Sequence, residues 1–209
     1  MAPLIRLAEE ADAAGVLAIY APVVRETAIS FELEPPSLEE TRERMRSLQT
    51  RLPWLVCADG PAIWGYAYAD RFRARAAYQW SAEVTVYVSP ERQRRGVARA
   101  LYASLLAALR LLGYRNAFAG IALPNPASVA LHEALGFRSA GLLRAAGFKL
   151  GRWHDVGWWQ LELQPLGRPE APPTLVTLAQ ASPEWQAALR SGRAQLHDPD
   201  LRPKLRLPP

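Results

Sequence analysis

The chain has 209 residues, half of them hydrophobic, and carries a formal net charge of +5 with a sequence pI of about 9.7. This length suits one domain with an appendage, and the hydrophobic fraction is enough to bury a sizeable core. The single cysteine, Cys57, excludes an intrachain disulfide, and the apolar run around it predicts a buried strand thiol. No CxxC or HExxH pattern occurs and the three histidines are scattered, so we expect no metal site.

The positive charge is spread along the chain, and its densest run lies at residues 92–95. A basic protein can bind nucleic acid, a membrane surface or a small anion. Because the excess is not concentrated in one long segment, we expect a small anion, and neither nucleic acid nor a membrane, as partner. The N-terminus lacks a signal-peptide pattern, and no apolar run approaches the ~20 residues that span a bilayer. A cytoplasmic protein is therefore expected.

The first 80 residues predict two helices and three strands. Asp12 is the expected N-cap of a first helix that runs to about Tyr20 or beyond it, with a break or a bend at Pro22. Ser37 and Glu40 form a capping-box pattern that opens a charged amphipathic helix. The full series is a strand at 4–7, a helix from about 13 to 20, a loop at 30–36, a helix at 38–49, strands at 54–58 and 63–69, and an arginine-rich loop at 71–77.

The middle of the chain alternates between strands and helices. An alternating pattern predicts a strand at 82–88, and Val97 opens the strongest helix, which Gly113 ends. The elements that follow are an apolar strand at 116–123, a proline-containing loop at 123–126, a helix at 127–135 that Gly136 stops, and strands from 137 onward and at 156–163. The order predicts a mixed α/β fold with a strand–helix–strand unit at its centre.

The composition changes at Pro165, where four prolines within nine residues indicate a linker. Ser182, Pro183 and Glu184 form a helix start, so a short helix is expected near 183–191. The last segment, 197–209, is basic and interrupted by prolines. We therefore divide the chain into a domain at 1–164 and a proline-rich C-terminal extension at 165–209.

A basic turn that contains a glycine, Gln93-Arg94-Arg95-Gly96-Val97-Ala98, joins a predicted strand to the strongest helix. The first N–H groups of a helix have no partner within it, and the helix dipole favours an anion there. Gly96 presents no side chain to an approaching ligand, while Arg94 and Arg95 add positive charge. The turn predicts a pyrophosphate cradle, although a solvated helix start gives the same pattern.

This turn resembles the motif Q/R-x-x-G-x-G/A of the GCN5-related N-acetyltransferase (GNAT) superfamily, with Ala98 where a second glycine is frequent. Further segments resemble the phosphinothricin acetyltransferases of that superfamily over roughly residues 4–163. The segments are 65–69, 75–83, 123–126, 131–137 and 147–157. The resemblance implies an acyl-CoA N-acyltransferase fold of the α/β class with an α+β mixed sheet, and it does not extend to 165–209.

The resemblance implies acetyl-CoA as co-substrate and no metal. The pyrophosphate of acetyl-CoA is expected on the turn at 93–98, and its pantetheine arm is expected on free backbone groups of the preceding strand. Asn125 matches a residue whose side chain meets that arm, whereas its pattern alone indicates a turn asparagine between two prolines. The implied cofactor-binding residues are Val86, Tyr87, Val88, Gln93, Arg94, Arg95, Gly96, Val97, Ala98, Asn125 and Ser128.

The resemblance also implies direct transfer of the acetyl group to an amine, which must first lose a proton to a base. Glu83 matches the catalytic glutamate of the family, although a surface glutamate on a strand gives the same pattern. Its ordinary pKa of about 4.3 is low for this task, so burial or a water relay is expected to assist. His132 occupies the position where many members have a tyrosine that acts as an acid toward the leaving thiolate. It is either a proton relay or a structural residue.

The implied substrate is a small amine with an acidic group, typically phosphinothricin or methionine sulfoximine. The guanidinium group of Arg75 suits a carboxylate or phosphinate, Tyr78 can donate to the same group, and Phe31 lies in a loop that covers the substrate in the family. Arg71 and Arg73 are interpreted as surface charge, and Trp64, Tyr66 and Tyr68 as core.

Two other functions stay open. Acetylation of a protein N-terminus or lysine needs an open groove, and the expected clamp of Arg75 and Tyr78 argues against it. A non-catalytic acyl-CoA-binding module would not need Glu83 and His132. The resemblance further implies a homodimer formed through the C-terminal strands, and a role in antibiotic or herbicide resistance.

Overall fold

A computed structural model describes residues 3–196 of the chain, and within this range seven strands form one mixed sheet in the order β1-β2-β3-β4-β5-β7-β6. Only β4 and β5 run parallel to each other among these neighbours; the other pairs are antiparallel. The strands are β1 (Leu4–Leu7), β2 (Trp54–Asp59), β3 (Ala62–Arg71), β4 (Ser81–Val88), β5 (Asn116–Ala122), β6 (Arg138–Lys149) and β7 (Arg152–Glu162). The predicted mixed α/β class is confirmed.

The helices lie on both faces of the sheet, and most of their starts follow local sequence signals. Ser37 and Glu40 form the predicted capping box, since the Ser37 hydroxyl accepts from the Glu40 N–H and the Ser37 N–H donates to the Glu40 carboxylate. Ser182 accepts from the Trp185 N–H in the same way. The helices are α1 (Ala13–Glu26), α2 (Leu38–Gln49), α3 (Val97–Leu111), α4 (Pro126–Ala134), α5 (Val176–Ala179) and α6 (Pro183–Arg190).

Helix α1 begins directly after Asp12, as predicted, but its cap and its length differ from the prediction. The Asp12 carboxylate does not cap it; that carboxylate accepts two hydrogen bonds from the Arg6 guanidinium group, at 2.6 and 2.8 Å. The helix also continues through Pro22 to Glu26. A proline removes one backbone donor, and the complete burial of Val24 beyond it favours continuation of the helix. The helix therefore runs beyond Tyr20, and of the two alternatives at Pro22 the break does not occur.

Alternate side chains of β2 point into two cores, as the two-residue period of a strand requires. Leu55 and Cys57 lie in the core beneath α3, while Trp54 and Val56 lie in the core beneath α1 and α2. The predicted burial of the Cys57 thiol is confirmed, and this burial raises its pKa to about 12. A thiol in this position is a packing group.

The C-terminal extension, as far as the structure describes it, packs on α3 and β1. Trp185 and Val176 are buried in the same core as α3. The Ser104 hydroxyl donates to the Leu189 carbonyl oxygen at 2.7 Å and accepts from the Gly192 N–H at 3.1 Å. The expected short helix near 183–191 is present as α6, whereas the basic segment 197–209 lies outside the described residues. No helix in residues 3–196 is long and apolar enough to cross a membrane.

Candidate active site

The two parallel strands at the centre of the sheet separate after three residue pairs. Ser81, Ala82 and Glu83 of β4 pair with β5, and no pairing of these two strands is found beyond Glu83 in the described part of the chain. Both strands nevertheless continue, β4 to Val88 and β5 to Ala122. A cavity of about 250 Å³ lies at this separation. Its walls include Tyr20, Tyr68, Glu83, Val84, Val86, Tyr87, Tyr102, Asn125, Ser128 and His132.

Glu83 is the half-buried carboxylate in the wall of this cavity. Burial raises its pKa above the ordinary value of 4.5, and the carboxylate of Asp70 raises it further, while Arg73 opposes the change. Asp70 lies directly opposite Glu83 on the neighbouring strand β3. A carboxylate with a raised pKa is a stronger base than an ordinary one, so the surroundings of Glu83 suit proton abstraction.

His132 is buried in α4, and both of its ring nitrogens have partners. Nδ1 lies 2.7 Å from the carbonyl oxygen of Ser128, and Nε2 lies 3.0 Å from the hydroxyl oxygen of Tyr102. A carbonyl oxygen can only accept, so Nδ1 carries a proton and the Nε2 of the neutral ring accepts from Tyr102. Burial lowers the pKa of His132, which favours this neutral form.

Tyr102 is a site residue that the sequence did not reveal. It is fully buried in the apolar helix α3, and burial raises its pKa well above 10. Its hydroxyl oxygen also lies 3.4 Å from the Val84 carbonyl oxygen. The single hydroxyl proton can be donated to His132 Nε2 when the ring is neutral, or to Val84 when Nε2 is protonated. Tyr102 and His132 thus form a hydrogen-bonded pair at the cavity wall.

The turn at 93–98 has the geometry of an anion site. Gly96 adopts a φ of +77°, a left-handed conformation that glycine adopts without strain. No side chain caps the N-terminus of α3, so its first N–H groups stay available to an anion. The exposed Arg94 and the half-buried Arg95 lie beside these groups in the turn.

The chain matches the family model described as Acetyltransferase (GNAT) domain over residues 5–158. It belongs to this family. It is 44% identical to the phosphinothricin N-acetyltransferase of Streptomyces viridochromogenes, over 82% of this chain and 95% of that protein. It is 32% identical to the L-methionine sulfoximine/L-methionine sulfone acetyltransferase of Salmonella typhimurium, over 80% of this chain and 98% of that protein.

Among solved structures, the phosphinothricin acetyltransferase of Sinorhizobium meliloti in complex with AcCoA is similar, with a TM-score of 0.75 and 38% identity. This similarity covers 83% of the present chain and 94% of that chain. The GNAT fold and the N-acetyltransferase class implied by the sequence are therefore confirmed. Within residues 3–196, no group of three His, Cys, Asp or Glu side chains could hold a metal ion.

Asn125 caps α4, and it also lines the cavity between β4 and β5. Its side-chain oxygen accepts from the Ser128 N–H at 3.2 Å, which confirms the interpretation as a turn asparagine. The cap leaves the amide nitrogen as the group that could donate to a ligand in the cavity. Asn125 can therefore serve the fold and a bound molecule at the same time.

The predicted substrate residues are not brought together at the cavity. Phe31 packs over Gly147, with its ring 6.2 Å from that of His154. Tyr78 contacts Phe72 at a ring distance of 5.8 Å, and Arg75 is exposed at the start of the same short turn. None of Phe31, Arg75 and Tyr78 is part of the cavity wall.

Two residues interpreted from the sequence as remote from the site lie close to it. Tyr68, expected in the core, lines the cavity, while Trp64 and Tyr66 are buried as predicted. Arg73, expected to be plain surface charge, lies over the ring of Phe72 at 4.5 Å and acts electrostatically on Glu83. In the loop 71–77, Phe72 stacks on Phe118, the residue of β5 that pairs with Glu83.

Proposed function

We propose that this GNAT enzyme transfers the acetyl group of acetyl-CoA directly to the amino group of a small amino-acid-like substrate with a second acidic group. Phosphinothricin and methionine sulfoximine are the substrates we expect, because the relatives described above carry these names. The observation that carries the proposal is the separation of β4 from β5 beside the uncapped N-terminus of α3, with Glu83 and His132 in the cavity between the strands.

The residues present fit acetyl-CoA. The turn at 93–98 supplies backbone N–H groups and two arginines for the pyrophosphate, and the edge of β4 that β5 leaves unpaired, from Val86 to Val88, supplies backbone groups for the pantetheine amides. Asn125 and Ser128 line the same cavity. Bound there, acetyl-CoA would supply the activated acyl group and a thiol leaving group.

Glu83 is the proposed base. An amino group reaches the enzyme protonated, and its nitrogen can attack only after losing that proton to Glu83, directly or through one water. Burial and the Asp70 carboxylate raise the pKa of Glu83, which strengthens it as a proton acceptor. The Tyr102–His132 pair is the proposed relay for the departing thiolate: Tyr102 gives its hydroxyl proton to the thiolate, and a solvent proton taken up at His132 Nε2 replaces it.

The arginine-rich loop is the proposed site for the acidic group of the substrate. Arg73 acts electrostatically on Glu83, and Arg75 follows Arg73 by two residues. Phe31 and Tyr78 are the proposed cover and hydrogen-bond donor, and both lie outside the cavity wall.

We also propose a homodimer formed through the β6–β7 hairpin. β6 is the edge strand of the sheet, and an exposed edge with apolar side chains favours association. Five large apolar residues of the hairpin are between 47% and 63% exposed: Leu142, Leu143, Phe148, Leu150 and Trp153. Light scattering should give a dimer mass for the wild type and a monomer mass for Leu143→Asp; a wild-type monomer would contradict the proposal.

Release of free thiol from acetyl-CoA tests the substrate proposal. The acceptors are phosphinothricin, methionine sulfoximine, the common amino acids and a pool of short peptides. Turnover on the first two at low concentration supports the proposal, and it would give a chemical basis for resistance because acetylation removes the free amine. Turnover on peptides alone would instead indicate a protein or peptide N-acetyltransferase. Acetyl-CoA binding without any turnover would indicate a non-catalytic module.

A further inference from the structure

Lys149, at the end of β6, is a buried lysine whose ammonium group binds two backbone carbonyls of another part of the chain. Its side-chain nitrogen donates to the Val24 carbonyl oxygen at 2.6 Å and to the Ser30 carbonyl oxygen at 2.7 Å. Only 5% of the residue is exposed. Val24 lies in the last turn of α1, where carbonyls have no partner within the helix and a cation is favoured. One charged group therefore joins the end of α1, the loop that follows it and the β6–β7 hairpin.

The same hairpin holds the loop at 27–36 by a second, independent contact. Phe31 lies so close to Gly147 that a Cβ at position 147 would overlap its ring. His154, buried beside Phe31, binds the Lys149 carbonyl oxygen through Nε2 at 3.0 Å. The loop is thus fixed on the hairpin at Ser30 and at the neighbouring Phe31.

The fixed loop is also a wall of the catalytic cavity. Ile29 and Ser30 line that cavity, and the Ser30 hydroxyl lies 2.7 Å from the hydroxyl of Tyr20, which lines it as well. Ile29 further lines an adjoining cavity of about 580 Å³ between this loop and the hairpin residues Leu150 and Arg152. A shift of the loop would therefore change the shape of both cavities.

We propose that Lys149 is a positioning residue, whose ammonium group fixes the loop at 27–36 as a wall of the acceptor site. Burying a charge is costly, and an apolar side chain could fill the same space without that cost. An apolar side chain would lack the directional hydrogen bonds of the ammonium group. These bonds define where the carbonyls of Val24 and Ser30 must lie. The effect on acceptor binding rests on the function proposed above, whereas the anchoring of the loop does not.

Amide hydrogen exchange and steady-state kinetics of full-length Lys149→Met test the proposal together. We expect exchange at residues 28–34 to accelerate by about tenfold or more, with exchange in β2 and β3 unchanged. The KM for phosphinothricin should rise about tenfold, while kcat and the KM for acetyl-CoA change less than about twofold. Arg138→Met, which removes an exposed cation from the same strand, should change neither measurement.

Gly147→Ala is the second variant, and it keeps the test decisive if Lys149→Met does not fold. Gly147 does not have a positive φ, so alanine is compatible with its backbone, and the added methyl group displaces Phe31. The same faster exchange is expected. Unchanged exchange in both variants would overturn the anchoring, and an equal rise in both KM values would overturn the role in acceptor binding. If wild-type protein acetylates no amine, the proposed function fails, and exchange alone still decides the anchoring.

Discussion

Asp70 lies opposite Glu83 on adjacent antiparallel strands, and its carboxylate adds to the effect of burial in raising the pKa of Glu83. A neighbouring carboxylate disfavours the ionised form of Glu83, so Asp70 makes Glu83 a stronger base than an isolated glutamate. Arg73 acts in the opposite direction. The balance of these two charges is therefore expected to set the acidic limit of the pH–rate profile.

Asp70→Asn should shift the acidic limb of the kcat/KM profile to lower pH. Glu83 must be ionised to accept a proton, so activity is lost as the pH falls through its pKa, and removing the Asp70 charge lowers that pKa. The profile is measured with acetyl-CoA and the best acceptor amine. Arg73→Met should shift the acidic limb to higher pH. Equal profiles for the wild type, Asp70→Asn and Arg73→Met would exclude Glu83 as the titrating base.

Glu83→Gln should reduce kcat by about 10²-fold or more, because the amide cannot take the proton of the amine. The shape of the side chain is kept, so acetyl-CoA should bind with unchanged affinity, as measured by calorimetry. Glu91→Gln is a matched control on the exposed turn after β4 and should keep full activity. A Glu83→Gln enzyme with a wild-type rate would remove this residue from the mechanism.

Local signals in the sequence were sufficient for most helices and strands, but not for features that depend on contacts between distant segments. The capping box of Ser37 and Glu40 lies within four residues, and the structure forms it as predicted. The continuation of α1 through Pro22 depends on the burial of Val24 by other segments, which a local proline rule does not include.

The candidate site was also predicted only in part, because some of its residues meet through contacts between distant segments. The turn at 93–98 was found from its own pattern and Glu83 and His132 by resemblance, and both Glu83 and His132 lie in the cavity wall. Tyr102 was missed because an isolated tyrosine in an apolar helix has the pattern of a core residue. Its partner His132 is 30 residues away, and only the packing of α4 against α3 brings the two together.

Tyr102→Phe should lower kcat by about 10-fold or more if the hydroxyl relays a proton to the thiolate. Phenylalanine keeps the ring contact with His132, whose centroid lies 5.1 Å from that of Tyr102, and removes only the hydroxyl. The double variant with His132→Phe should be no slower than the slower single variant, since residues that act as one unit are not additive. Multiplicative losses would show that the two residues act separately.

Gly192→Ala should lower the free energy of unfolding by about 2–4 kcal/mol, because the added Cβ would overlap the backbone of Ala100 in α3. Backbone atoms within a helix cannot move aside as a flexible side chain can, so the C-terminal extension would have to shift from α3. Urea unfolding followed by tryptophan fluorescence measures the change, since Trp185 of the extension is buried in the core beneath α3. Gly167→Ala is the matched control, because open space surrounds its Cβ position, and it should leave stability within about 0.5 kcal/mol of wild type. Equal stability of the two variants would show that the extension does not depend on this close approach to α3.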